Sequence, residues 1–468
     1  MSIHEECGVF GVFADHPSDV SRIVCAGLYA LQHRGQESCG IVINDDGTFV
    51  CHKAPGLVSE VFNEQALNAF PEGCMAVGHT RYATTGSNAA ANVQPLLVNH
   101  QKGRMALAHN GNLANAAKLR DRLELSGAIF HTTSDTETIA YLITGHRLRV
   151  PSIEDALSEA MNSFEGAYSL VLMSPRKLIA ARDPHGFRPL CYGKREDGTY
   201  LIASESCAIA AAGGTLIRDL MPGEILVFTK NGIISRTEHC HKAEQRFCIF
   251  EYIYFARPDS VIDGMSVHAS RVKAGEILAG INPVGADLVI GVPDSGIDAA
   301  IGYSRASGIP FENALIKNKY IGRTFIAPDH RNDQVRIKLS VTESCVRNKK
   351  AVLIDDSIVR GTTAERIVSL LREAGAKEVH LRVCAPPFLH PCFYGTDIDS
   401  SGNLIAAHHS PEDTARMIGA DSLGYLPLES LRELCPHSYC SACFDGNYPT
   451  EVPRSSGKNR FERKLSEI

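Results

Sequence analysis

The chain has 468 residues, which is too long for one ordinary hydrophobic core and predicts two domains. Its formal net charge of −6 argues against general binding to nucleic acid, and no apolar run reaches the roughly 18 residues of a membrane span. No segment resembles a signal peptide, so we expect a cytoplasmic protein. Fifteen cysteines in a reducing compartment do not indicate disulfides, so some should be structural thiols, a nucleophile or metal ligands.

The first half of the chain reads as an α+β domain, because short strands are grouped with helices rather than alternating strictly with them. The expected strands lie at 8–14, 38–44, 48–53, 75–82, 105–109, 167–174, 177–183, 190–193, 199–204 and 224–233. The expected helices lie near 18–33, 113–127, 135–147 and 152–163. The polar stretch Ser235–Arg246 then predicts a domain boundary near 235–245.

The second half alternates strands with helices, which predicts a doubly wound parallel sheet. The expected strands lie at 286–292, 312–316, 351–355 and 378–384, and the expected helices at 296–307 and 363–374. Thr362 and Glu365 fit a capping box at the start of the second of these helices.

The stretch AVLIDDSIVRGTT, residues 351–363, combines a buried strand with two carboxylates and a hydroxyl-rich turn. Asp355 and Asp356 stand at the carboxyl end of the strand, where α/β sheets place ligands. Paired carboxylates suit Mg2+ or a sugar diol, and the N–H groups at the start of the next helix suit a phosphate. The string resembles the phosphoribosyl pyrophosphate (PRPP) loop of type I phosphoribosyltransferases.

Two more segments of the second half are suited to pyrophosphate. VPDSG, at 292–296, forms a small anion-binding turn, and KNKYIGRTFI, at 317–326, is a basic loop that could close over a polyphosphate. The resemblance implies that Ser295 joins the two aspartates in coordinating Mg2+. It implies PRPP binding by Asp294, Ser295, Gly296, Lys317, Arg323, Asp355, Asp356, Ser357, Arg360, Gly361, Thr362 and Thr363.

Several polar strings follow apolar strands in the first half. They are CGVFG from Cys7, LQHRGQES (31–38), HTRYATTG (79–86), HNGNL (109–113) and TSDTE (133–137). Together they resemble the glutamine amidotransferase domain of the N-terminal-nucleophile (Ntn) hydrolases, which is an αββα sandwich.

This resemblance implies that Cys7 is the nucleophile and that its own α-amine is the base, so the propeptide 1–6 must be removed. Asn110 and the backbone N–H of Gly111 would form the oxyanion hole. Arg81 would bind the carboxylate of glutamine, and Asp135 would bind its α-ammonium group. Since the α-amine supplies the base, we expect the neighbouring histidines, His79 and His109, to be structural.

Over essentially the whole chain the sequence resembles the glutamine PRPP amidotransferases, with the amidotransferase domain at 7–240 and an α/β phosphoribosyltransferase domain at 241–468. The family opens purine synthesis by passing ammonia from glutamine to PRPP, giving 5-phosphoribosylamine. The same resemblance implies a homotetramer and feedback inhibition by purine nucleotides. We expect no nucleic-acid partner and no membrane partner.

The remaining cysteines suggest a metal centre in the C-terminal segment. Cys440 and Cys443 form a CxxC pair. Their contexts and those of Cys248 and Cys392 resemble the 4Fe-4S branch of the family, in which four thiolates bind a structural cluster. Zn2+ is the competing metal. Cys384 and Cys435, which lie nearby in sequence, are the competing ligands.

Three other functions compete with this one. A synthase that forms glucosamine phosphate would share the first domain but not the PRPP string. A DNA-binding regulator that senses PRPP would need a basic helix-turn-helix and would have no use for Cys7 with HNGNL. A chain with a decayed glutaminase would have lost one of Cys7, Arg81, Asn110 and Asp135, which are all present.

Overall fold

The computed structural model describes residues 7–82, 90–318, 339–396, 398, 400–435 and 437–453. The predicted propeptide, residues 1–6, and the predicted PRPP-binding residue Arg323 lie outside the described residues, as does most of the 317–326 loop. No helix in these ranges is both long and apolar enough to cross a membrane.

Two antiparallel sheets form the first half of the chain. Their strands are β1 (Gly8–Ser18), β2 (Ser38–Asp45), β3 (Thr48–Pro55), β4 (Gly73–Arg81), β5 (Leu96–His100), β6 (Gly103–Leu113), β7 (Gly166–Met173), β8 (Leu178–Arg182), β9 (Cys191–Arg195), β10 (Tyr200–Ala203), β11 (Gly214–Asp219), β12 (Ile225–Thr229) and β13 (Gly232–Arg236). Within the described residues, one sheet has seven strands in the order β11-β9-β10-β1-β4-β2-β3. The other has six strands in the order β13-β12-β8-β7-β6-β5.

The two sheets stack on each other, and helices cover their outer faces. This stacking follows from the side chains of β1, which alternate between the two faces of its sheet. Phe10 and Val12 pack towards the helices, whereas Val9 and Phe13 pack towards Val171 of the second sheet. The helices are α1 (Val20–Ala30), α2 (Val58–Val61), α3 (Glu64–Asn68), α4 (Ala116–Leu125), α5 (Asp135–Arg147), α6 (Ile153–Met161) and α7 (Ser206–Ala211). This arrangement confirms the predicted αββα sandwich of an Ntn hydrolase.

The second half is built around a parallel sheet in the order β17-β20-β21-β22, which confirms the predicted α/β fold. The strands of this half are β14 (Phe247–Cys248), β15 (Val261–Ile262), β16 (Met265–Ser266), β17 (Leu288–Gly291), β18 (Leu315–Lys317), β19 (Leu339–Val341), β20 (Lys350–Asp355), β21 (Glu378–Val383), β22 (Ser422–Tyr425) and β23 (Tyr439–Cys440). The helices are α8 (Val267–Ile281), α9 (Gly296–Ser307), α10 (Glu343–Val346), α11 (Thr362–Glu373), α12 (Pro411–Ile418) and α13 (Ala442–Asp445), with a π-helical turn at Glu251–Phe255.

Three local predictions were wrong. The strand expected at 312–316 is β18, which pairs antiparallel with β19 outside the parallel sheet. The strand expected at 224–233 is a hairpin of two strands, β12 and β13. The capping box at Thr362 and Glu365 does not form, because the residue that caps α11 is Gly361, which has no side chain and a φ of +82°.

Candidate active sites and cysteine cavity

Cys7 directly precedes β1 and is buried, with 8% of its surface exposed. Since Gly8 pairs with Thr80 across the antiparallel ladder, Cys7 stands opposite the end of β4, where Arg81 lies. The Cys7 thiol donates to the carbonyl of Tyr82 at 3.4 Å. The Arg34 Nε donates to the Cys7 carbonyl at 3.1 Å. The sulfur and the backbone of the predicted nucleophile are therefore both held in place.

Asn110 and Gly111 lie on β6 of the second sheet. The Asn110 side chain is fully buried, and neither of its amide atoms has a hydrogen-bond partner among the described residues. Gly111 has a φ of +135°, and a Cβ there would lie 2.2 Å from the Ala167 carbonyl oxygen, so a side chain cannot be accommodated. An unsatisfied buried amide is costly, and its donor fits the predicted oxyanion hole.

Asp135 is the first residue of α5 and accepts a hydrogen bond from the Leu113 N–H at 3.0 Å. Although burial opposes ionisation, the neighbouring His109 and backbone donors lower the pKa of Asp135. A buried carboxylate that stays ionised fits the predicted binding of an α-ammonium group. Arg81, the predicted partner of the glutamine carboxylate, is also buried.

Two histidines connect these strands. The His79 ring lies 3.0 Å from the His109 carbonyl through Nε2, which links β4 to β6 between the two sheets. The His109 Nδ1 lies 3.5 Å from Asp135 Oδ1. Burial lowers the pKa of His79 to about 3, so its ring is neutral. The structure thus brings together the beginning of β1, the carboxyl end of β4, the middle of β6 and the start of α5.

The second predicted site lies at the carboxyl end of β20. The Asp356 N–H donates to Asp355 Oδ1 at 2.9 Å. The Ser295 and Ser357 hydroxyls each donate to one carboxylate oxygen of Asp356 at 2.5 Å. Two strand ends, those of β17 and β20, thus bring Ser295 to the aspartate pair as predicted.

The two aspartates are buried next to each other, and this raises their proton affinity. Burial and the negative charge of Asp356 raise the pKa of Asp355. Burial also raises the pKa of Asp356, against the hydrogen bonds from Ser295 and Ser357. A divalent cation would relieve this repulsion, and hydroxyl and carboxylate oxygens are ligands that Mg2+ accepts. The residues therefore fit the predicted Mg2+.

A cleft adjoins the aspartate pair. It is lined by Tyr254, Val292, Pro293, Ser295, Leu339, Asp355, Asp356, Ser357, Ile358, Val359, Arg360, Gly361, Thr363, Ala364 and Ile367. Seven of the predicted PRPP residues thus line one space, namely Ser295, Asp355, Asp356, Ser357, Arg360, Gly361 and Thr363, and Thr362 begins α11 beside it. At an exposed position Lys317 Nζ donates to Asp294 at 2.6 Å, so two more of the predicted residues meet. Gly296 has no room for a side chain, because a Cβ would lie 2.4 Å from the Ile354 carbonyl.

Sequence reasoning missed two residues that shape these sites. Tyr254 reaches the cleft from the π-helical turn, whereas its motif, CIFEYIYFARPDS, indicates only the cysteine ligand at its start. Arg34 contacts the nucleophile's carbonyl from the end of LQHR. The available sequence signal for Arg34 was its position shortly after the apolar helix α1. An arginine in such a place is buried only when it is paired.

The four predicted cluster cysteines line a single cavity. Cys248, Cys392, Cys440 and Cys443 surround it together with Phe187, Phe250, Phe388, Tyr394, Thr396, Ala442 and Tyr448. Neither Cys384 nor Cys435 lines it. Burial, together with the neighbouring thiols, raises the pKa of both Cys440 and Cys443. Thiols this close to one another would be stabilised as thiolates by a shared cationic centre.

A cluster and a single ion make different demands on the four thiols. Across the described ranges, no three His, Cys, Asp or Glu side chains converge in a way that could hold one metal ion. A tetrahedral Zn2+ needs its four ligands around one atom, whereas a 4Fe-4S cluster takes one thiolate on each of four irons and so spreads its ligands. Four thiols lining one cavity are the donor set that the predicted cluster requires, and Zn2+ stays the competing metal.

Comparisons with known proteins agree with both halves of the chain. A family model described as a glutamine amidotransferase domain matches residues 79–211. The amidophosphoribosyltransferase of Bacillus subtilis is 46% identical over 462 residues, covering 96% of this chain and 95% of the relative. The amidophosphoribosyltransferase of Synechocystis sp. is 48% identical, covering 98% of this chain and 93% of the relative.

A solved structure shares the whole architecture. It is the glutamine PRPP amidotransferase from B. subtilis complexed with ADP and GMP, and it superimposes with a TM-score of 0.89 at 45% identity. The alignment covers 96% of this chain and 99% of that chain.

Proposed function

This chain belongs to the amidophosphoribosyltransferase family, and from that premise we propose which residues carry out its reaction. The enzyme transfers the amide nitrogen of glutamine to PRPP, producing 5-phosphoribosylamine, glutamate and pyrophosphate, and so opens purine biosynthesis. One observation supports the proposal above the others. Cys7 and the unsatisfied amide of Asn110 lie in the first half, while the buried pair Asp355 and Asp356 lies in the second.

Glutamine is hydrolysed at Cys7. The thiol loses its proton to the α-amine of the same residue, which removal of residues 1–6 exposes, and the sulfur attacks the side-chain carbonyl carbon. The oxyanion accepts hydrogen bonds from Asn110 Nδ2 and the Gly111 N–H. Collapse of this intermediate breaks the C–N bond and releases ammonia, which takes the proton. Water then hydrolyses the thioester to glutamate.

Arg81 and Asp135 hold the other end of the substrate. The Arg81 guanidinium pairs with the α-carboxylate of glutamine, and the Asp135 carboxylate receives its α-ammonium group. The low pKa of Asp135, which His109 and backbone donors maintain against burial, keeps that carboxylate charged. Glutamine is thereby selected by both of its charged groups and is oriented with its amide towards Cys7.

PRPP binds in the cleft beside β20. Residues 357–363 place hydroxyl and N–H groups around the phosphate at the start of α11, and Arg360 adds positive charge. Ser295, Asp355 and Asp356 would hold Mg2+, which offsets the negative charge of the leaving pyrophosphate. The same carboxylates face the positive charge that develops on the ribose as the C1–O bond breaks. Ammonia then forms the new C1–N bond, and Lys317 and Arg323 bind the pyrophosphate.

Ammonia passes between the two sites without escaping to water. It is a neutral nucleophile only while unprotonated, so a dry path preserves its reactivity. We expect closure of the 317–326 loop over PRPP to complete that path. Tyr254, which lines the PRPP cleft and belongs to the segment joining the two halves, stands where the path would arrive.

The cysteine cavity binds a 4Fe-4S cluster with a structural role. Its four thiolates come from β14, from the loop at Cys392, from β23 and from α13, so the cluster would cross-link distant segments. The reaction transfers no electrons, and the four ligands leave no iron position for substrate.

The family resemblance supports three further proposals. They are a homotetramer, a cytoplasmic location, and feedback inhibition by purine nucleotides. The B. subtilis relative was solved in complex with ADP and GMP, which supports the last of these.

One assay tests the proposed function. Protein incubated with glutamine, PRPP and Mg2+ should release glutamate and pyrophosphate in equal amounts. Replacing PRPP by a hexose phosphate, the acceptor of the alternative synthase, should stop pyrophosphate release and should give no amino sugar. Amino-sugar formation from the hexose phosphate, with PRPP untouched, would contradict the proposal.

A further inference from the structure

A buried ion network runs from the nucleophile towards the cysteine cavity. Arg34, which donates to the Cys7 carbonyl, also donates to Glu251 through Nη2 at 2.7 Å and through Nη1 at 2.9 Å. Arg188 donates to the same Glu251 carboxylate at 3.2 Å. The side chains of Arg34, Arg188 and Glu251 are completely buried. Glu251, in the second half of the chain, therefore binds two arginines of the first half.

The far end of this network is the wall of the cavity. Arg188 Nη2 donates to the Tyr394 carbonyl at 2.9 Å, and the Tyr394 N–H donates to Cys392 Sγ at 3.4 Å. The residue before Arg188, Phe187, stacks on the Tyr394 ring at 4.3 Å and accepts a hydrogen bond from the Cys248 N–H at 3.1 Å. Cys248 thus contacts the neighbour of Arg188 directly, and Cys392 is linked to Arg188 through Tyr394.

The chemistry of the network makes it rigid. Burying charged groups is costly, and the cost is offset only when the geometry of pairing is good. Arg34 has a second buried partner in Glu205 at 2.6 Å. Although burial opposes ionisation, His33 and Arg34 lower the pKa of Glu205, so this carboxylate is charged. Planar guanidinium groups that donate to several fixed acceptors at once leave this network little freedom to rearrange locally.

We propose that Arg188 is a positioning residue for glutamine hydrolysis, which acts through Glu251 and Arg34 on the backbone of Cys7. The cysteine cavity and the glutaminase site are thereby coupled, so that the order of the cavity wall sets the position of the nucleophile. This inference rests on the proposed role of Cys7. Arg188 itself touches neither glutamine nor PRPP.

The test replaces Arg188 with Lys, which keeps the charge but lacks the planar fork whose two nitrogens bind Glu251 and the Tyr394 carbonyl separately. We expect the kcat of glutamine hydrolysis to fall about tenfold to a hundredfold, as for a small misplacement of a reacting group. The KM for glutamine should change by less than about threefold, since Arg81 and Asp135 are untouched. Ammonia-dependent synthesis and iron content should stay at the parental level.

A second readout does not depend on turnover. Alkylation of Cys7 by iodoacetamide, followed at its own peptide by mass spectrometry, should change in rate in Arg188→Lys. The matched control is Arg382→Lys, because Arg382 is also buried and bonds to backbone carbonyls of Asn282 and Leu381, far from this network. Neither the alkylation rate nor the glutaminase kcat should change in the control.

Three results would overturn the proposal. One is a folded Arg188→Lys protein with parental glutaminase kcat and Cys7 alkylation rate. Another is an equal fall in ammonia-dependent synthesis, which would mean general damage. Should Arg188→Lys not fold, Arg34→Lys breaks the same path at its other end and is judged by the same criteria; failure of both to fold would make the network a determinant of folding alone. Glutaminase activity in Cys7→Ala would refute the proposed function instead, so the two failures are distinguishable.

Discussion

Cys248 and Cys440 face each other as paired residues of β14 and β23, although most of the second half of the chain lies between them. This pairing is parallel and only two residues long, so its backbone hydrogen bonds alone give little stability. A metal centre between the two thiols would add a cross-link at the same point. The short ladder and the cavity beside it are thus best understood as one structural unit.

We predict about four irons per chain in protein purified without oxygen, with visible absorbance from the cluster. Replacing any one of Cys248, Cys392, Cys440 and Cys443 with Ser should lower iron content and soluble yield, because the cross-link is lost. The controls are Cys384→Ser and Cys435→Ser, which alter buried thiols outside the cavity. Stoichiometric zinc without iron would contradict the cluster and leave the two active sites unaffected.

Asn110→Ala should separate activity from stability. Removing an oxyanion donor should lower the kcat of glutamine hydrolysis about a hundredfold to a thousandfold. The melting temperature should not fall, because the buried Asn110 amide has no hydrogen-bond partner to lose among the described residues. Calorimetry and glutaminase assays on one preparation test both statements.

The control for that experiment lies two residues along β6. The Asn112 amide donates to the Phe393 carbonyl at 2.8 Å, so Asn112→Ala should lower the melting temperature. Its glutaminase kcat should fall much less than that of Asn110→Ala. A large loss of stability in Asn110→Ala with little loss of kcat would show that this amide is structural.

Asp355→Asn combined with Asp356→Asn should abolish synthesis from glutamine and from ammonia alike, because the loss concerns PRPP and Mg2+ rather than the nitrogen donor. Glutaminase activity without PRPP should persist. The increase in melting temperature on adding Mg2+ and PRPP should also disappear. Ammonia-dependent synthesis near the parental rate would show that this pair does not form the acceptor site.

The pH dependence of stability should contain a contribution from Asp219, at the contact between the two halves. Burial, with the nearby Asp263 carboxylate, raises the pKa of Asp219 from 3.8 to about 7. The folded protein therefore holds a proton that the unfolded chain has lost. The stability from this group is complete below about pH 4 and is lost as pH rises to about 7.

Asp219→Asn should remove this dependence. The difference in melting temperature, variant minus parent, should therefore be larger at pH 8 than at pH 5. Asp197→Asn is the control, since backbone donation from Thr199 lowers the pKa of that exposed carboxylate and its effect lies at lower pH. A constant difference between Asp219→Asn and the parent across this range would contradict the assignment.

The sites could be predicted from sequence where their residues lie directly at the beginning or the end of a strand. Asp355 ends β20, Asp356 follows it and Cys7 directly precedes β1, so local pattern and motif together located them. The link from Arg34 to Glu251 could not be predicted, because the partners are 217 residues apart and belong to different halves. Local propensity also failed at Gly361, where the loop requires a positive φ at the position that caps α11.

The account depends most on Cys7 as the glutamine nucleophile that feeds a separate acceptor site. The decisive measurement is 5-phosphoribosylamine formation by Cys7→Ala, with glutamine and with ammonia as alternative nitrogen donors. We predict no product from glutamine and a rate from ammonia close to that of the parent, because the PRPP cleft does not include Cys7. Product from glutamine at the parental rate in Cys7→Ala would contradict the account.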